Sequence, residues 1–159
     1  MKRTFVLFLL FCTLLFAEAT HEQLPYYKIS SIIKSVDNKA IILGNGKKEI
    51  YVFIDPLCRY SRKFIKTVST HKSMLHKYRY HLFLYEIPRL HSKEIIYAIY
   101  HDKERLQRLL DVMLHNKEVA LPNKALLPDE KKIVTDIAKI AKELDVFKRP
   151  YIIVSQESE

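Results

Sequence analysis

A chain of 159 residues with 48% hydrophobic content suits one compact soluble domain and is short for two. Its formal net charge of +9 comes from lysines and arginines spread along the chain, which read as solvated faces open to acidic partners or an anionic membrane surface. Nothing in that spread forms a nucleic-acid module, so no nucleic-acid partner is expected.

Lys2 and Arg3 precede an apolar run from Phe5 to Phe16, broken at Cys12 and Thr13, that closes on Ala17-Glu18-Ala19. A basic start, a short apolar region and a small-x-small site predict a signal peptide over 1–19 and export of the chain. A retained membrane anchor over 5–19 is the alternative. Cleavage would remove Cys12 and leave Cys58 as the sole thiol in an oxidising compartment, so no internal disulfide is expected.

Residues 20–38 form an N-terminal extension in which Ile29, Ile32, Ile33 and Val36 predict one amphipathic turn or a strand. Lys39 to Leu43 is β-rich, Gly44-Asn45-Gly46 is a turn signal, and Glu49 to Ile54 is β-branched and aromatic, so a hairpin is predicted. Ile50-Tyr51-Val52-Phe53-Ile54 does not alternate, which places this strand centrally in a sheet covered on both faces. Asp55-Pro56-Leu57 ends it, and a helix starts near Cys58 with Phe64, Ile65, Val68, Met74 and Leu75 largely on one side. A strand over Tyr80 to Ile87, closed by Pro88, completes a βαβ unit. Helices follow over Ser92–Tyr100 and Lys103–His115, the second with Leu106, Leu109, Leu110, Met113 and Leu114 as its stripe. Pro122 and Pro128 bracket a loop, and Asp129 caps a helix carrying Ile133, Ile137, Ile140, Ala141 and Leu144. Pro150 then interrupts the chain before a last strand over Tyr151–Val154.

Cys58 carries the chemistry. At the first turn of a helix, unpaired N–H groups and the helix dipole favour a thiolate, and Arg59, Arg62 and Lys63 add positive charge. Its place after a loop-opening Asp-Pro predicts exposure over burial. Asp55 is a candidate for proton transfer at the sulfur or, more simply, for capping the helix. His71, His76, His81, His91, His101 and His115 match no ligand spacing and read as surface histidines, so no metal site is expected.

The run from Tyr51 to Phe64 resembles the active-site segment of thioredoxin-fold disulfide isomerases of the bacterial periplasm, the DsbC and DsbG type, with its Phe-x-Asp-Pro-x-Cys-Pro-Tyr-Cys pattern. Phe53, Asp55, Pro56, Cys58 and Tyr60 match, while Arg59 replaces the proline and Ser61 the second cysteine. Arg149-Pro150-Tyr151 is similar to the family's cis-proline loop. The resemblance implies an α/β, thioredoxin-like fold over 39–159, with a helical insertion and a truncated C-terminal end, in a periplasmic protein. It implies catalytic roles for Cys58, Ser61 and Pro150, substrate contacts for Tyr60, Arg149 and Tyr151, and tuning of the thiol by Arg59, Arg62 and Asp55. No cofactor is implied. The partners are client proteins with thiols or disulfides, glutathione or a periplasmic redox partner, and a second copy of the chain if it forms a homodimer. Ser61 cannot close an internal disulfide, which excludes self-contained dithiol chemistry but leaves single-thiol exchange through a mixed disulfide. A hydrogen bond from Ser61 to the thiolate would favour it further. The alternative function is a non-catalytic peptide-binding or chaperone-like module on the same scaffold.

Overall fold

Five consecutive apolar side chains need cover on both faces, and the strand that carries them lies inside a four-stranded mixed sheet. The computed structural model describes residues 24–121 and 127–155; the expected signal peptide, Cys12 and Pro122 lie outside them. The strands are β1 (Ile41–Leu43), β2 (Lys48–Ile54), β3 (Tyr78–Leu84) and β4 (Tyr151–Val154), in the order β1-β3-β2-β4. β2 runs parallel to β3, with Lys48 opposite Tyr78 and Ile54 opposite Leu84, and antiparallel to β4, with Phe53 opposite Tyr151. Val52, Phe53, Ile54, Leu82, Phe83 and Leu84 are wholly buried, each contributing about 1.5–3 kcal/mol of transfer free energy.

The expected hairpin does not form. β1 pairs antiparallel with β3, on the side of β3 away from β2. The reason lies in the turn, whose peptide groups bond elsewhere: the Asn45 N–H donates to the Leu75 carbonyl at 2.9 Å and the Gly46 N–H to the Tyr78 carbonyl at 3.2 Å. Gly44 adopts φ 87°, which suits glycine. A Cβ at Gly46 would lie 2.1 Å from the Lys77 carbonyl carbon, so the turn is pressed against the start of β3.

The helices are α1 (Tyr26–Lys34), α2 (Arg59–Thr70), α3 (Lys72–Lys77), α4 (Lys93–His101), α5 (Arg105–His115) and α6 (Pro128–Glu143). Residues left open between a turn and a strand are helical: α1 buries Ile29 and Ile33 in the main core, and Val36 follows them. The helical run after Cys58 is two helices, since His71 is extended between α2 and α3. α2 packs on α5, and α4 on α5 and α6. Asp129 does not cap α6; Leu127 holds that position, and Asp129 sits in the first turn, where its charge suits the helix dipole. The buried Tyr100 of α4 accepts the Leu84 N–H at 3.2 Å, tying α4 to the end of β3.

His81 departs from the expected surface histidines. It is 5% exposed in β3, its Nδ1 lies 2.6 Å from Asp37 Oδ1, and its Nε2 is 3.7 Å from Glu49 Oε1. The imidazole thus joins the turn after α1 to the sheet. Among the described residues no three His, Cys, Asp or Glu side chains gather where a metal ion would sit, and no helix is long and apolar enough to cross a membrane.

Candidate functional site

The site is built where β2 ends. Asp55, wholly buried, follows the strand, and its oxygens are fully engaged. Oδ1 accepts the Leu57 N–H at 2.8 Å, while Oδ2 accepts the Ile87 N–H at 2.5 Å and the Ser92 hydroxyl at 2.8 Å. A buried carboxylate needs such partners. Asp55 therefore neither caps α2 nor hydrogen-bonds Cys58 through its side chain; it fastens the cysteine loop to the segment after β3.

Cys58 is the N-cap of α2, with its own N–H donating to the Asp55 carbonyl at 3.0 Å and its carbonyl accepting from Arg62 N–H at 2.9 Å. The expectation of an exposed thiol is corrected: the residue is 6% exposed, and Sγ donates to the Arg149 carbonyl at 3.7 Å. That carbonyl belongs to the Arg149–Pro150 peptide, which is cis. Cys58 nevertheless borders an open cavity of about 440 Å³, shared with Leu57, Arg59, Tyr60, Arg89 and Leu90.

The other expected site residues divide. Tyr60 is 56% exposed at this cavity, and Arg59 Nη2 donates to its hydroxyl at 2.5 Å, a bond that raises the guanidinium's pKa. Arg62 turns away: its Nε donates to the Pro56 carbonyl at 2.8 Å, its Nη1 to Asn116 Oδ1, and it borders a second cavity of about 380 Å³ with Leu57, Ile95, Val112 and Val119. Ser61 is wholly buried, and its Oγ accepts the Asp55 N–H at 3.3 Å; a bond from its hydroxyl to Cys58 is not formed. Tyr151, expected to meet substrate, buries its ring in the core against Phe147.

Arg149, also expected to face substrate, points inward. Its guanidinium donates to the Tyr85, Val146 and Glu86 carbonyls at 3.3, 3.3 and 2.9 Å and lies 4.0 Å from the Tyr85 ring centroid. Burial lowers its pKa below the usual arginine value, opposed by Tyr85, Asp55 and Cys58. Its side chain therefore ties the Pro150 loop to the segment after β3. Arg89 and Leu90 are the cavity residues that sequence reasoning missed. They lie in a short 3-10 turn, Pro88–Leu90, whose only sequence signal is Pro88 itself.

A mixed sheet whose central strand leads into a helix capped by cysteine, with a cis X-Pro peptide facing that sulfur, defines a thioredoxin-like fold. Solved structures share it. ScsC of Proteus mirabilis, in a transitional conformation, is 14% identical over 98% of this chain and 82% of its own, with a TM-score of 0.62. DsbG of Helicobacter pylori is 14% identical over 82% of this chain, which spans 62% of that protein, with a TM-score of 0.59. A disulfide interchange protein of Neisseria gonorrhoeae is 18% identical over 73% of this chain and 79% of its own, with a TM-score of 0.57. At such identities the likeness establishes the fold. No family model matches the chain, and no curated protein sequence does.

Proposed function

We propose that this chain is an exported, periplasmic monothiol protein that exchanges disulfides with protein thiols through Cys58. The observation that carries the reading is Cys58 at the start of α2, bordering an open cavity and facing the carbonyl of the cis Arg149–Pro150 peptide. In the reaction, the Cys58 thiolate attacks one sulfur of a client disulfide; that S–S bond breaks, a Cys58–client bond forms, and the client's other sulfur leaves as a thiolate that takes a proton from water. Discharge needs a second thiol. Ser61 stands one turn along α2 and cannot supply it, so a client thiol completes isomerisation or an external thiol such as glutathione releases the client.

Trapping in the exporting cell tests this. Acid quenching, alkylation and non-reducing gels should show covalent adducts that reductant removes and Cys58→Ser abolishes. Wild-type protein free of adducts would refute it. The low exposure of Cys58 favours a second reading, a non-catalytic peptide-binding or chaperone-like module, which predicts that client binding survives Cys58→Ser.

A further inference from the structure

We propose that the Cys58 cavity takes a small acidic thiol of the glutathione class, and that Arg59 and Arg89 select it through its carboxylates; this rests on Cys58 exchanging as set out above. The cavity, about 440 Å³, has the size of a small-molecule site. None of its lining side chains is acidic, and both arginines are exposed without a carboxylate partner among the described residues. They come from separate segments. Arg59 is held against Tyr60, its guanidinium 4.6 Å from the ring centroid, with one N–H group bonded to the hydroxyl and the other donors available.

Arg89 is positioned by the buried carboxylate. Ile87 N–H and the Ser92 hydroxyl, on either side of the Pro88–Leu90 turn, both bond Asp55 Oδ2, while Oδ1 of the same residue holds Leu57. The arginine-bearing turn and the cysteine-bearing turn are thus fastened to one group, and Arg149 adds bonds to the Tyr85 and Glu86 carbonyls. Two exposed arginines on separate, fastened segments line the cavity that Cys58 borders, and a ligand with a sulfur between two separated carboxylates offers each of them an anion, which arginine pairs with bidentately. The volume of about 440 Å³ matches a tripeptide-sized ligand, which we take over an extended acidic protein segment. The exchange is balanced: the Cys58 thiolate attacks glutathione disulfide, a Cys58–glutathione bond replaces the glutathione S–S bond, and one glutathione thiolate leaves.

The test uses the full chain carrying Cys12→Ser. Intact mass follows Cys58 modification by glutathione disulfide and by its tetraethyl ester, in which all four carboxylates are esterified, each rate normalised to that with free cysteine. The acid should react about tenfold faster than the ester, since each exposed ion pair is worth a factor of about two to five. That ratio should fall toward one in Arg59→Gln and Arg89→Gln, and in about 1 M salt. S-methylglutathione, which cannot exchange, should shift NMR signals of the cavity residues. Equal rates for acid and ester overturn the inference and leave exchange standing. Binding of S-methylglutathione with no reaction at Cys58 overturns the exchange reading and keeps the arginine site. Neither binding nor reaction overturns both. A preference confined to acidic peptide disulfides moves carboxylate recognition to protein clients and overturns the small-thiol assignment.

Discussion

Ser61→Cys changes one atom of a wholly buried side chain, and the structure assigns opposite effects to its two redox states. In the reduced variant the Asp55 N–H, which Ser61 Oγ accepts at 3.3 Å, meets a weak sulfur acceptor. Poor pairing of a buried N–H costs about 1–2 kcal/mol, or about 3–7 °C in melting temperature for a domain of this size. Oxidation reverses the sign. Side chains three apart on a helix have Cβ atoms about 5–6 Å from one another, close enough for a disulfide after small adjustment. Closing so short a loop removes about 6 cal/mol/K from the unfolded chain, or about 2 kcal/mol. Calorimetric melting with and without dithiothreitol reads both effects, and insulin reduction reads turnover. The reduced variant should melt below wild type, the oxidised variant should recover that loss, and dithiol turnover should appear. A reduced variant as stable as wild type would refute the role given to the Ser61–Asp55 bond. Failure of residues 58 and 61 to form a disulfide would refute the placement of Ser61 at a second-thiol position.

Asp55→Ala leaves the Leu57 N–H, the Ile87 N–H and the Ser92 hydroxyl without their acceptor, so urea unfolding should show a loss of about 3 kcal/mol or more; a loss below about 1 kcal/mol would contradict the fastening role. Gly46→Ala places a methyl 2.1 Å from the Lys77 carbonyl carbon and 2.2 Å from the Tyr78 nitrogen, which should cost more than about 2 kcal/mol and speed hydrogen exchange at β1 and β3. The Glu104 N–H and then Arg108 hold the Asp102 carboxyl below the usual carboxylate range. A depressed folded value contributes stability above about pH 4 that is lost as pH falls through that lower value. Asp102→Asn should therefore lower the melting temperature at neutral pH, with the gap to wild type closing in acid; a gap that widens in acid would contradict the assignment.

What was legible in the sequence is local. The doubly apolar run Ile50–Ile54 announces a central strand, Asp55-Pro56 announces its end, and the spacing of Ile65 and Val68 announces the buried side of α2. What was not legible depends on groups distant in the chain. β1 has three residues, too few to carry a pairing signal, and its partner is chosen by how the Gly44–Gly46 turn docks on Leu75 and Tyr78. His81 is buried because Asp37 and Glu49 reach it from two other elements. At the site, the motif points to Cys58 and Tyr60, which line one cavity, but the inward turn of Arg149 follows from carbonyls at the end of β3 that accept its guanidinium. Arg89 reaches the cavity because Asp55 gathers the residues on either side of it, a link that no spacing in the sequence records.

The proposed exchange requires Cys58 to be a working nucleophile although only 6% of the residue is exposed. The most direct measurement is its rate of reaction with a small neutral disulfide, 4,4′-dithiodipyridine, in the full chain carrying Cys12→Ser, folded and in denaturant. Release of thiopyridone follows the attack, and intact mass locates the adduct. Folded Cys58 should react at least as fast as the same residue in the unfolded chain, and added thiol should discharge the adduct. A folded protein whose Cys58 reacts only as fast as the chain unfolds would contradict the proposed exchange.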